Sequence, residues 1–404
     1  MKILLVGSGG REHALALGLH ADTFCTELHV APGNPGIAQF ATCHELDIKD
    51  NLAITELAKS LAIEFVVIGP EVPLVNGAAD RLRAAGIKVF GPSKAAAQLE
   101  GSKNFAKEVM HDAGVPTAKS FTVGPVQLEI ERALDTFGAP YVVKDDGLAA
   151  GKGVVVTSDR NEAIDHAMQC QRVVIEEYLA GPEISLFGIS DGRNIIPMQP
   201  AQDFKRALDG DEGPNTGGMG AYSPLPWLPA NFVEEVTEKI AQPTIDELKK
   251  RGAEFIGLLY CGLIVTERGI KVIEFNARFG DPETQVVLRR LQTNLAELLA
   301  AAAAGKLDNA PVAKFSEDVA VTVVLASEGY PVTAVEAREV TGIESAEAMD
   351  DVEVCKASPT GRVLSVVGTA KTYSAARALA YEGMSRISLQ GSHYRSDIAL
   401  KVAE

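Results

Sequence analysis

A chain of 404 residues that is 46% hydrophobic and 23% charged has enough apolar material for about two to four folded domains, which excludes intrinsic disorder. Its formal net charge of −16 excludes a general nucleic-acid or anionic-membrane binder, since both need an extended basic face. Five widely spaced cysteines with no C-x-x-C pair exclude a zinc knuckle or a disulfide framework and predict five reduced thiols.

At the N-terminus Lys2-Ile3-Leu4-Leu5-Val6 reads as a strand running into glycines, without the basic, apolar, small-residue order of a signal peptide, so the cytoplasm is the expected location. Residues 1–92 alternate strand and helix: strands at 3–6, 28–30, 65–68 and 89–90, helices from 11, over 52–61 and over 74–85. That alternation predicts a doubly wound parallel sheet. The turns at 7–10, 32–36 and 69–73 follow successive strands and gather at the carboxyl edge, where such sheets bind ligands.

A helix over 103–113 leads into a compact mixed α and β unit between residues 118 and 180, read as a mobile lid. Residues 200–226 read as a long glycine-dense ligand loop. A helix over 231–251, strands over 258–265 and 271–275, and a helix from 284 to its stop at Gly305 follow. The alanine-rich run at 298–304 is far shorter than the roughly 20 residues of a membrane span and reads as buried helix. From 313 onward the pattern is α+β, with strands near 319–326 and 363–367 and a helix near 374–384. The expected domains are therefore an α/β unit at 1–100, a central region at 101–312 containing the lid, and an α+β unit at 313–404.

The richest stretch is Lys271-Val272-Ile273-Glu274-Phe275-Asn276-Ala277-Arg278-Phe279-Gly280-Asp281-Pro282-Glu283-Thr284. Glu274 and Asn276, two apart on a strand, point the same way and offer oxygen to one hard cation on nucleotide phosphates, with Arg278 continuing that face. Val142-Val143-Lys144 and Gly151-Lys152-Gly153-Val154 read as two strands joined by a flexible loop, placing a fixed and a mobile lysine against phosphates. The spacing is not that of a Walker loop, because Gly153 follows Lys152 where Ser or Thr is required. Glu176-Glu177-Tyr178-Leu179, closing an apolar strand before Glu183, suits a hinge beside an adenine with Glu183 on ribose hydroxyls; the alternative is an edge strand with solvated carboxylates.

Gly7-Ser8-Gly9-Gly10-Arg11-Glu12-His13 resembles a dinucleotide turn, but Glu12 stands where that fingerprint needs a small residue. Phosphate binding through backbone N–H groups and Arg11 remains the expectation there. His13, at a helix start, reads more readily as a structural hydrogen bonder than as a base. Asp203 with Lys205 and Arg206, and Asn215-Thr216-Gly217-Gly218, bring charge and exposed amides onto one segment.

Taken together, residues 7–14, Gly69-Pro70-Glu71, Gln98-Leu99-Glu100-Gly101-Ser102-Lys103, 146–153, 213–223 and 273–284 resemble the glycinamide ribonucleotide synthetases of the ATP-grasp superfamily, over essentially the whole chain. The resemblance implies ATP-dependent joining of glycine to 5-phosphoribosylamine through glycyl phosphate, in purine biosynthesis. It implies Mg2+ or Mn2+ on Glu274 and Asn276, with Lys103, Lys144, Lys152 and Arg278 around the triphosphate beside Gly151 and Gly153. Glu176, Glu177, Tyr178 and Leu179 are then expected at the adenine and Glu183 at the ribose. Gly9, Gly10, Arg11 and Glu71 face phosphoribosylamine, while Asp203, Asn215, Thr216, Gly217, Gly218 and Asp281 are candidates for the amine substrates. Asp281 joins Lys144, Lys152 and Arg278 as a catalytic candidate. The partners expected are these small molecules, with neither nucleic acid nor membrane; a monomer is compatible, as is transient contact with the enzyme that makes phosphoribosylamine. Asp145 and Phe204 depart from the family pattern. A second reading changes the acceptor, to a ligase that carboxylates or formylates a purine intermediate, but residues 213–222 and 280–283 fit the glycine ligase more closely. A third, a nucleotide sensor without turnover, is disfavoured because Glu274, Asn276 and Lys144 are all present.

Overall fold

The computed structural model describes residues 1–148, 153–333 and 335–404. Near the N-terminus, short strands form a five-stranded parallel sheet in the order Thr42–Cys43, Glu27–Pro32, Lys2–Gly7, Phe65–Ile68, Lys88–Phe90, the two central ones being apolar and buried almost along their whole length. Strands covered on both faces have no polar side to show, so they read as continuous rather than alternating hydrophobic runs. The strand-to-helix turns meet at the carboxyl edge, where Gly33 N donates to Gly7 O and Asn34 Nδ2 to Ser8 O. The helix predicted over 74–85 is two pieces, Glu71–Asn76 and Ala78–Ala84, because Gly77 adopts φ +90° and ends the first.

The central antiparallel sheet runs Ile195–Pro197, Glu183–Asp191, Ile256–Thr266, Gly269–Asn276. Leu263 pairs with Val272 but Gly262 with Glu274, so a bulge falls at Ile273. It lets Val272 and Phe275, three apart, both enter the core, and it turns Glu274 and Asn276 outward together.

Residues 120–176 form a separate four-stranded sheet, ordered Ser120–Val123, Val173–Glu176, Tyr141–Asp145, Val154–Thr157. Helices Gln127–Phe137 and Arg160–Gln169 cover it around a core of its own that includes Ile130, Leu134, Val143, Val173 and Ile175.

The long loop predicted at 200–226 is instead four short strands. Gln202–Asp203 and Gly220–Ser223 extend the C-terminal sheet of Val319–Ala326, Arg362–Ala370 and Val352–Lys356, while Arg206–Leu208 pairs with Glu212–Asn215. Strands of two to four residues are too short to show a two-residue alternation. The helix predicted from 284 to 305 is also two, Glu283–Arg290 and Leu295–Ala303. The second is capped from a distance, by Asp22 Oδ2 accepting from Ala296 N at 2.6 Å. No helix among the described residues is long and apolar enough to cross a membrane.

Candidate functional site

Where the small sheet meets the central one, a buried carboxylate joins two lysines. Glu176 Oε2 lies 2.8 Å from Lys144 Nζ on the adjacent strand, and its Oε1 lies 3.0 Å from Lys107 Nζ on helix Lys103–Ala113. Burial works against the Glu176 charge, but Lys144 and Lys107 together hold its pKa below the ordinary value. Lys144 also donates to Ile273 O at 3.2 Å, and Lys107 to Thr117 Oγ1 and Ala118 O, so the cluster ties the small sheet to the central one. Adjacent Glu177 accepts from Lys119 N and Lys271 Nζ, while Tyr178 stays 49% exposed and Leu179 is half-buried. Lys103 Nζ donates to Gly147 O at 2.9 Å, and Gly153 O accepts from Asp145 N at 2.7 Å. Asp146 accepts from Ser102 Oγ and Asn104 N at the start of the Lys103–Ala113 helix and pairs with Arg172. Asp145 forms no ion pair with a lysine among the described residues. Gly151 and Lys152 lie outside the described residues.

Glu274 sits among cations. Burial raises its pKa, but Lys205, Lys144, Lys103 and Arg278 prevail and keep it below the usual value. Among the described residues no protein donor satisfies its carboxylate. Asn276 Oδ1 accepts from Arg278 Nη2 at 3.3 Å. Two outward oxygen donors, with no third acidic ligand among the described residues, suit a small hard cation that takes its remaining ligands from phosphates and water, the habit of Mg2+, and do not make an all-protein metal cage. Arg278 itself lies between Glu71 (3.4 Å) and Glu100 (3.2 Å). Burial opposes its charge, yet these two carboxylates hold it firmly protonated.

Beside Glu274, Lys205 Nζ reaches Glu183 Oε2 at 2.6 Å. Burial pushes the Asp203 carboxyl up to about 7 against the opposing pull of Lys205, with Glu283, Glu183 and Glu274 adding to the rise. Thr216 N and Oγ1 both donate to Lys205 O, and Asn215 pairs across from Arg206.

A second convergence lies at the edge of the parallel sheet. Glu12 is wedged between Gly7 and Gly69, where an added Cβ would come within 2.4 Å and 2.2 Å of it. Its carboxylate accepts from Gly9 N at 2.7 Å and from Arg11 Nε at 2.5 Å. The Gly9 N–H that a dinucleotide phosphate would use is thus taken by Glu12. Arg11 Nη1 donates to Phe279 O at 3.2 Å, and a Cβ on Gly9 or Gly10 would stand 3.8 Å from an Asp281 oxygen. Burial raises the Asp281 pKa, but Arg362, Arg11 and a hydrogen bond from Gln285 outweigh it and keep the group ionised. Arg362, from the C-terminal sheet, closes this corner: Nη1 donates to Gly217 O (2.6 Å) and Asp281 O (2.7 Å), and Nη2 lies 3.2 Å from Asp281 Oδ2. Gly218, at φ +111°, presses on Pro282, where a Cβ would come within 2.4 Å. His13 Nδ1 accepts from Lys356 N at 2.9 Å and so docks the N-terminal unit on the C-terminal one.

Reading the sequence missed Lys107 and Arg362 as parts of this arrangement, and singled out Lys205 only as a charge beside Asp203 and Glu100 only as part of a motif. Arg362 is distant in sequence from everything it touches. Lys107 carried a weak signal, since it lies one helical turn after Lys103 on the same face.

Three lysines (Lys103, Lys107, Lys144) and a carboxylate among cations, gathered where a small four-stranded α/β unit meets a larger antiparallel sheet, suit an ATP-grasp architecture. Family models agree: residues 1–100 match the phosphoribosylglycinamide synthetase N domain, 101–284 its ATP-grasp (A) domain and 320–401 its C domain. The chain belongs to the phosphoribosylglycinamide synthetase family. It is 56% identical to a phosphoribosylamine–glycine ligase of Streptomyces coelicolor, covering all of both chains, and 54% identical to one of Leifsonia xyli over 99% of this chain and all of the relative. Its fold is similar to the crystal structure of phosphoribosylamine–glycine ligase from Thermotoga maritima, with TM-score 0.84, 31% identity and 98% and 100% of the two chains covered.

Proposed function

We propose that this chain joins glycine to 5-phosphoribosylamine at the expense of ATP, giving glycinamide ribonucleotide, ADP and phosphate in purine biosynthesis. The observation that carries the reading is the cleft at Glu274, where one unsatisfied carboxylate faces four cations, in a chain whose relatives named as this ligase match it from end to end.

The chemistry follows from charge. A carboxylate is a poor acyl donor until one oxygen carries a phosphoryl group that can leave. The glycine oxygen attacks the terminal phosphorus of ATP, releasing ADP; the amine nitrogen then attacks the carbonyl carbon of glycyl phosphate, and phosphate departs. No protein nucleophile is needed, so the chain contributes positioning and charge neutralisation. Lys103, Lys144 and Lys152 surround the phosphates, and Arg278 links that face to Glu71 of the N-terminal unit. Glu274 and Asn276 would hold the Mg2+ or Mn2+ that accompanies the nucleotide and screens its charge. The backbone of residues 176–179 borders the adenine, with Glu183 toward the ribose. Gly9, Gly10, Arg11 and Glu71 face phosphoribosylamine. Asp281 and Asp203 are the acceptors for amine N–H groups, the second also suited to holding a proton near neutrality. The lid over the cleft excludes water that would hydrolyse the acyl phosphate.

Hydroxylamine tests the intermediate. With ATP, Mg2+ and glycine but no phosphoribosylamine, hydroxylamine should capture glycine hydroxamate with matching ADP. Turnover of all three substrates without hydroxamate would remove glycyl phosphate from the reading.

A further inference from the structure

The largest side chain under 2% exposed in this protein is a charged one, Arg395, near the C-terminus and far in sequence from any segment of the cleft. Its Nε and Nη2 donate to the two oxygens of Asp397 at 2.7 Å each, while its Nη1 donates to Asp211 Oδ1 at 2.8 Å and Arg206 O at 3.2 Å. The guanidinium carbon lies 5.0 Å from the centre of the Phe204 ring. The neighbours of Arg395 repeat the attachment: Asp397 Oδ2 accepts from Gly210 N at 2.9 Å, and Asp209 Oδ1 from Ser396 N at 2.7 Å.

Apart from Asp397, every partner here falls on residues 204–211, the segment that follows Asp203. Phe204 stands between Asp203 and Lys205 in an extended stretch where neighbours point to opposite sides, fixed by Phe204 N donating to Gly220 O and Met219 N to Phe204 O. The ring that faces Arg395 therefore turns Asp203 and Lys205 the other way, toward Glu183, Glu274 and Glu283. A buried ionic cluster is a poor source of net stability, whereas a planar fork that grips two carboxylates, a carbonyl and a ring face sets geometry tightly.

We propose that Arg395 is a positioning residue for the amine-substrate site, acting through Phe204 as a backstop that sets the height of the adjacent Asp203. The proposal rests on the reading of Asp203 as a substrate contact.

Two variants test it. Arg395→Lys keeps the charge but loses the fork, and Phe204→Leu keeps the ion cluster but loses the ring face. Steady-state kinetics are measured with each substrate varied in turn, and ATP binding is measured separately by titration without the other substrates. In both variants the KM for glycine or phosphoribosylamine should rise about 10- to 100-fold, the scale of a misplaced contact, with ATP affinity changed less than about threefold. An unchanged KM for both amine substrates in either folded variant would overturn the proposal, as would an equal loss of ATP affinity, which is the mark of general disruption. If the parent protein does not use glycine and phosphoribosylamine, the proposed function fails; if it does and the variants behave as the parent, this inference alone fails.

Discussion

Lys144 and Lys107 share one carboxylate, Glu176, from opposite sides of the junction between lid and central sheet. One buried negative charge between two positive ones leaves a surplus cation, so Lys144 can turn toward phosphate while Glu176 keeps a partner. Lys107→Met should leave Glu176 to Lys144 alone and weaken ATP binding by about tenfold, roughly 1.4 kcal/mol. It should also lower stability by about 1–3 kcal/mol, because Thr117 Oγ1 and Ala118 O lose a donor. Calorimetric titration and denaturant unfolding of the one variant measure both; unchanged ATP affinity would refute the charge-sharing account.

Glu274→Gln keeps the shape of a side chain that fills no cavity in the core and receives no protein hydrogen bond among the described residues. Activity should fall by about 2.7–4 kcal/mol of transition-state stabilisation, a hundred- to a thousandfold, with the fold retained and the unfolding midpoint lowered modestly because the cations around residue 274 lose their counter-charge. A variant rate within a fewfold of the parent would remove Glu274 from the phosphate chemistry.

Arg362 connects the C-terminal sheet to Gly217 and Asp281 through a forked set of contacts that a lysine cannot reproduce. Arg362→Lys should therefore reduce kcat/KM for the two amine substrates by about 10- to 100-fold while leaving ATP binding intact. Equal kinetics in variant and parent would show that the C-terminal unit does not complete the site.

One buried group, His13, and one partly exposed group, Asp203, give the protein opposite pH dependences in nearly the same window. Burial lowers His13 from 6.5 to about 4, so the unfolded chain binds more protons between those values, and stability rises with pH from about 4 to 6.5. Burial raises Asp203 from 3.8 to about 7, so the folded chain binds more protons, and stability falls as pH rises through the same range. In the parent protein the two slopes offset. His13→Asn, which retains an acceptor for Lys356 N, should become more stable relative to the parent as pH drops from 6.5 to 4, by on the order of 3 kcal/mol. Asp203→Asn should gain on the parent as pH rises from about 4 to 7 and then hold level. Denaturation curves at four pH values separate the cases, and variants that track the parent throughout would show that neither group titrates as described.

The parts of this arrangement written locally in the chain were legible in it. The parallel sheet shows as buried apolar runs such as Phe65–Ile68, and Glu274 and Asn276 were recognisable because they sit two apart at a strand end. His13 was expected as a structural hydrogen bonder, and its Nδ1 accepts from Lys356 N. What stayed hidden depends on contacts distant in sequence. Asp22 caps the helix Leu295–Ala303 and so divides what looked like one helix into two. Arg362 and Arg395 act on segments about 80 to 190 residues away. The strands at 202–223 are too short to betray themselves by period, and their pairing is decided by the C-terminal sheet they extend.

The most direct test is ADP release by the purified protein with ATP and Mg2+, adding glycine and freshly made phosphoribosylamine singly and then together. Sustained release only when both are present, with one glycinamide ribonucleotide formed for each ADP, is the predicted result. No release with both present, or equal release with another carboxylate or amine, would contradict the assignment of this cleft to glycine and phosphoribosylamine.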